Sequence, residues 1–183
     1  MSKTLNFAET SSTQIAGLLT AADTVINSAT NRRASNNISV NKISITNYHT
    51  SNAVKVSLYI EQNPITVLNA DYQASGDATI THTSNTAVKA GMEVGSDLSG
   101  IPDDSFVASV TSATEFELNA NTTVDRAGTA TLTLTQKHYI INDVEIPVGA
   151  TLVLDDKITF NVTTHELFIV KNNANTKITV RID

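Results

Sequence analysis

The sequence predicts an all-β fold, an antiparallel β-sandwich interrupted by a small inserted β domain, and three observations carry that reading. Apolar residues make up 40 % of the chain but aromatics only 5 %, Trp is absent, and Ser, Thr and Asn together supply about a third of it. β-Branched residues mixed with small polar ones suit strands that have one face in water better than they suit packed helices. Apolar side chains recur with period two, most strictly at Val54, Val56, Leu58 and Ile60 against Lys55, Ser57 and Tyr59. Finally, strand-like runs alternate with turn residues at short intervals, the sharpest being Pro147-Val148-Gly149.

In residues 1–37, Ile15, Leu18, Leu19 and Ala22 are spaced like one face of a short helix. TQIAGLLTA also reads as a strand with a Gly irregularity, and the β character of everything after it favours the strand. The segment is expected to be an arm or a set of edge strands, with Arg32-Arg33 as solvated loop charge. From Ile38 to Thr46 the pattern predicts one strand, with Ile38, Val40, Ser44 and Thr46 on one face and Ile43 and Ile45 on the other; apolar residues on both faces mark it as central. Asn47-Tyr48-His49-Thr50-Ser51-Asn52 is turn chemistry, rich in side chains that hydrogen-bond their own backbone. Ala53–Ile60 follows as a strand with one core face, its other face meeting water or a partner.

After Gln62-Asn63-Pro64 the texture changes. Short β patterns at 78–83, 106–110, 115–118 and 129–135 are separated by Gly91, Gly95, Gly100-Ile101-Pro102 and the run 119–123, which predicts a small barrel or sandwich. At Lys137 the bulkier texture resumes. His138–Ile146 reads as a long strand, Pro147-Val148-Gly149 as a hairpin or a sheet-to-sheet corner, and Ala150–Leu154 as a strand reaching a polar tip at Asp155-Asp156. Strands at 157–160, 166–170 and 177–182 complete the chain. The expected organisation is therefore residues 1–63 plus 137–183 as a sandwich, jelly-roll or immunoglobulin-like, with residues 64–136 as the inserted module.

Charge supports that division. Residues 64–136 hold nine acids and two bases, a balance of −7, whereas the remainder holds nine acids and ten bases, or +1. No basic stripe with interleaved aromatics is present, so no nucleic-acid partner is expected. The chain has no Cys, which removes disulfides, thiolate zinc sites and a cysteine nucleophile. MSKTLNFAETSSTQ lacks the basic and apolar regions of an export signal, and no run approaches the roughly 18 apolar residues of a membrane span. The expectation is a protein made in a cytosol and not anchored in a membrane.

Catalytic constellations are not written in the residues. His49, His82, His138 and His165 are far apart, with no HxxxH or HExxH spacing, and read as surface or strand-edge histidines. The acid pairs Asp103-Asp104 and Asp155-Asp156 lack the spacing of a calcium loop and read as hydrated turn acids. No GxSxG, GxGxxG or P-loop occurs. No catalytic, cofactor-binding or metal residue is therefore assigned, and the chain is not expected to be an enzyme. Sugar-binding sandwiches stack ligands on exposed aromatics, for which only Tyr48, Tyr59, Tyr72 and Tyr139 are available, and packing suits them better. Tyr59, Tyr139, Ile141 and Phe168 add apolar area that predicts self-association, with a trimer favoured.

Two segments, KISITNYHTSNAVKVSLYIE and KHYIINDVEIPVGATLVLDDKITF, resemble small β-sandwich structural proteins of tailed phages, especially T4-like marine and cyanobacterial phages. In those proteins a short polar turn joins the equivalents of the two segments directly. The segment GMEVGSDLSGIPDDSFVASVTSATEFELNANTT resembles a β module that recurs in phage and bacterial surface proteins, so a module stands here where the family has a turn. The resemblance covers about 140 of the 183 residues and leaves residues 1–37 unmatched. It implies a non-enzymatic virion protein, a head decoration or cement protein that contacts the major capsid protein. A neck or tail appendage that contacts neck or tail proteins, and a host-glycan-binding module, are the alternatives.

Overall fold

A computed structural model of the protein describes residues 3–7, 15–19, 37–72, 76–95, 100–161, 163–173 and 176–183. Among them there is no helix, and the strands pair antiparallel, Lys3–Phe7 with Ile178–Ile182, Ile178–Ile182 with Ile43–Asn47 and Ile43–Asn47 with Thr151–Leu154 in one sheet, and Arg126–Thr135 with Ile65–Tyr72 and Glu93–Gly95 in another. Contacts divide the chain into two compact units, Met1–Glu61 with His138–Asp183, and Gln62–Lys137.

The first unit is sandwich-like. One four-stranded sheet has the order β1 (Lys3–Phe7), β16 (Ile178–Ile182), β4 (Ile43–Asn47), β13 (Thr151–Leu154). The other runs β12 (Lys137–Ile146), β5 (Val54–Gln62), β15 (His165–Lys171), β2 (Ile15–Leu19), and a separate pair joins β14 (Ile158–Asn161) to β3 (Asn37–Val40). Alternation sends Ile43 and Ile45 of β4, with Ile178, Val180 and Ile182 of β16, into the same core as Val54, Val56 and Leu58 of β5 and Leu167 and Ile169 of β15. Val40, Ile146 and Phe160 join that cluster. Each such aliphatic side chain stabilises the unit by about 1.5–3 kcal/mol through burial.

The second unit is a six-stranded sheet in the order β8 (Glu93–Gly95), β11 (Arg126–Thr135), β6 (Ile65–Tyr72), β7 (Thr79–Thr81), β10 (Glu115–Leu118), β9 (Val107–Ser112). Its two outermost strands meet: Glu93 bridges Phe106, Val94 N–H donates to Ser105 O, and Val107 N–H donates to Met92 O. The sheet thus curls until its edges are paired, which removes the exposed edges of an open sheet. Val67, Tyr72, Ile80, Met92, Phe116, Leu132 and Leu134 fill its own core. Gln62 N–H donates to Gln136 O at 2.9 Å, so the chain enters and leaves this unit through one residue pair.

Several expectations change. TQIAGLLTA contributes a strand, β2, at the edge of its sheet, as β1 does in the other. The run 38–46 is two strands: Asn41 and Lys42 break it, both donating their backbone N–H to Asp183 O, and β3 and β4 pair with different partners. Only β4 is central, flanked by β16 and β13. Within residues 64–136, β6 and β8 were not expected, and β11 is longer than the predicted 129–135. Pro147–Gly149 makes a corner and no hairpin, because β12 and β13 lie in different sheets. Arg32-Arg33 lie outside the described residues.

Candidate functional site

The Pro147–Gly149 corner is held by a side chain that sequence reasoning passed over. Asn47, at the end of β4, is fully buried, and its Nδ2 donates to Ile146 O at 3.0 Å and to Asn52 O at 2.9 Å. Its Oδ1 accepts from His49 N–H at 3.0 Å. Gly149, at φ 73°, donates its N–H to Asn47 O, and Asn47 N–H donates to Ala150 O. One asparagine therefore satisfies backbone groups of the 47–52 turn and of the corner, groups whose burial without partners costs about 1–3 kcal/mol each. His49 continues the network: its Nδ1 accepts from Ser51 N–H and Asn52 N–H, so that nitrogen carries no proton.

The outward face of β12, β5 and β15 is the most differentiated surface of the first unit. Because Val54, Val56 and Leu58 point into the core, Lys55, Ser57 and Tyr59 point the other way, and Phe168 does so between Leu167 and Ile169. Tyr59 stacks on Phe168, ring centroids 5.6 Å apart, and meets Tyr139 at 5.4 Å. Tyr59 is buried while Tyr139 remains 49 % exposed, so the cluster presents an aromatic edge to its surroundings.

Beside the aromatics lies a polar half. Ser57 Oγ donates to Asn142 Oδ1 and accepts from Asp143 N–H and Asn172 Nδ2. Asp143, at φ 53°, takes hydrogen bonds from Asn172 and Lys55, which hold its carboxyl below the ordinary carboxylate value. The pairings 55 with 143, 57 with 142 and 59 with 139 show β5 and β12 running antiparallel. Positive φ at Asp143 accompanies a local irregularity of the kind that marks a bulge.

The four histidines divide. His49 is buried in the turn. In the second unit His82 is buried against Phe116, with Nδ1–H donating to Thr83 O and Nε2 lacking a partner among the described residues. His138 and His165, distant in sequence, come together with ring centroids 6.4 Å apart in a depression of about 300 Å³, also lined by Ile60, Thr159, Phe160, Asn161 and Thr164. Burial and the neighbouring His138 hold the His165 pKa below the usual histidine value.

Asp103, Asp104, Asp155 and Asp156 are all exposed, at loop positions. Among the described residues no three His, Cys, Asp or Glu side chains gather into a metal-holding group. Of the tyrosines, Tyr72 belongs to the second core, and Tyr48 is exposed in the 47–52 turn. Lys171 is an unexpected core residue: fully buried on the inward face of β15, it donates from Nζ to Thr176 O at 2.9 Å.

Comparison of the chain with known protein families, with curated proteins and with solved structures finds no match.

Proposed function

We propose that the chain is a non-enzymatic structural protein of a tailed-phage virion, a head decoration or cement protein whose sandwich docks on the particle and whose acidic inserted unit faces solvent. The reading rests on the resemblance of the two segments around β4–β5 and β12–β14 to phage sandwich proteins. One structural observation supports it. The segments are separated in the chain by residues 62–136, yet β5 and β12 are neighbours and Asn47 of one segment bonds Ile146 of the other. An insertion at the turn between two paired strands leaves their register intact, and turns are where insertions cost least. The −7 balance of residues 64–136 suits a solvent-facing part, where like charge discourages aggregation.

The aromatic edge at Tyr59, Tyr139 and Phe168 is the surface proposed for self-association, with a trimer as the favoured assembly. Quantitative mass spectrometry and electron cryomicroscopy of purified particles test the reading. Many copies distributed over the capsid lattice are expected. A few copies confined to the neck or tail would replace decoration with an appendage role, and absence from the particle would overturn the proposal.

A further inference from the structure

The depression at the inward ends of β12 and β15 brings together the only two histidines that approach one another among the described residues. β5 lies between their strands, and Ile60 and Phe160 form an apolar floor beneath them. His165 Nδ1 has a hydrogen-bond partner in Thr164. Thr164 Oγ1 also lies 3.3 Å from Asn161 O, and a hydroxyl can both donate and accept. The contact between Thr164 Oγ1 and His165 Nδ1 is 2.9 Å, and the hydroxyl can accept from Nδ1–H there. In that tautomer Nε2 carries the lone pair. A histidine whose other ring N–H is held by a fixed acceptor is the usual arrangement of a metal ligand, because the acceptor sets the ring's orientation and raises its basicity.

From this geometry we infer that His138 and His165 form an open two-histidine site for a borderline divalent transition metal, zinc first. Metal–nitrogen bonds of about 2.0–2.1 Å place two ligating rings roughly 5–6 Å apart. The observed 6.4 Å thus needs a small movement of His138, which is exposed and free to make it. Asn161 Oδ1 already accepts from Thr163 N–H and Thr163 Oγ1, so water supplies the remaining ligands. Imidazole donors without a carboxylate select zinc, nickel or copper over magnesium or calcium, which require oxygen ligands.

The test is a titration of the full chain with zinc, read on the imidazole nitrogen and carbon resonances of all four histidines. One equivalent is expected to shift His138 and His165 and leave His49 and His82 unmoved, with magnesium shifting none. His138→Ala and His165→Gln should each weaken zinc binding at least about tenfold. Because His138 is exposed, His138→Ala retains the fold, and a dispersed amide spectrum verifies that. Zinc that leaves both rings unmoved, or that binds His138→Ala as tightly as the unsubstituted chain, would overturn the inference.

Discussion

Asn47→Ala isolates the interaction that makes Pro147–Gly149 a corner. The substitution removes three hydrogen bonds, from Nδ2 to Ile146 O and Asn52 O and from His49 N–H to Oδ1, while leaving the backbone bonds of Asn47 with Gly149 and Ala150 in place. The bonds to Ile146 and His49 are buried and the one to Asn52 partly so. Leaving a buried backbone group unpaired costs about 1–3 kcal/mol, and water reaches the turn side, so the expected loss is about 2–4 kcal/mol. Two compact units make a single global transition an unsafe assumption, so urea unfolding is best followed by resolved amide or methyl signals of each unit. Signals of β4, β5 and β13 should move to lower urea, and those of β6 and β11 should not. Asn47→Asp should do no better than Ala, since a carboxylate would face two carbonyl oxygens. A loss under about 0.5 kcal/mol, or wild-type stability for Asn47→Asp, would refute the reasoning.

Two further outcomes follow from particular residues. Gly100 sits at φ 103°, and a Cβ there would lie 2.9 Å from Val124 Cβ; Gly100→Ala should therefore destabilise the second unit by at least about 1 kcal/mol, read in the same urea experiment on β10 and β11 signals. Asp143 should titrate below its ordinary value of 3.8, so its contribution is complete above pH 3.8 and lost as pH falls through the folded-state value; a carboxyl-carbon titration should show the midpoint rise in Asn172→Ala, and an unmoved midpoint would remove Asn172 as the main cause.

How much was legible depended on whether a signal was local. The alternation of Val54, Val56, Leu58 and Ile60 could be read because one face of β5 is core, and period two follows directly from that. The same logic failed for Ile65–Tyr72, where only Val67, Ala70 and Tyr72 are buried and Asn69, at φ 53°, interrupts the alternation. The break at Asn41-Lys42 carries no Gly or Pro; its cause is Asp183, at the far end of the sequence. Asn47 looked like one turn residue among several, since its importance comes from Ile146, which only the pairing of β4 with β13 brings near. Lys171 lies just past the predicted strand 166–170, and its burial depends on Thr176 O, reached after the chain turns. Neither histidine of the 138–165 pair marks the other, because proximity comes from β5 lying between their strands.

The central claim, that a sandwich built from two separated segments carries both the fold and the particle contact, is tested most directly by removing the second unit. Residues 63–135 would be replaced by Asn-Gly, so that Gln62 and Gln136, already paired, flank a two-residue turn. The measurement is cosedimentation of this variant and of the full chain with purified phage particles, the variant's dispersed amide spectrum having been verified first. The account predicts a folded variant that sediments with particles as the full chain does. An unfolded variant, or a folded one that stays in the supernatant while the full chain sediments, would contradict it.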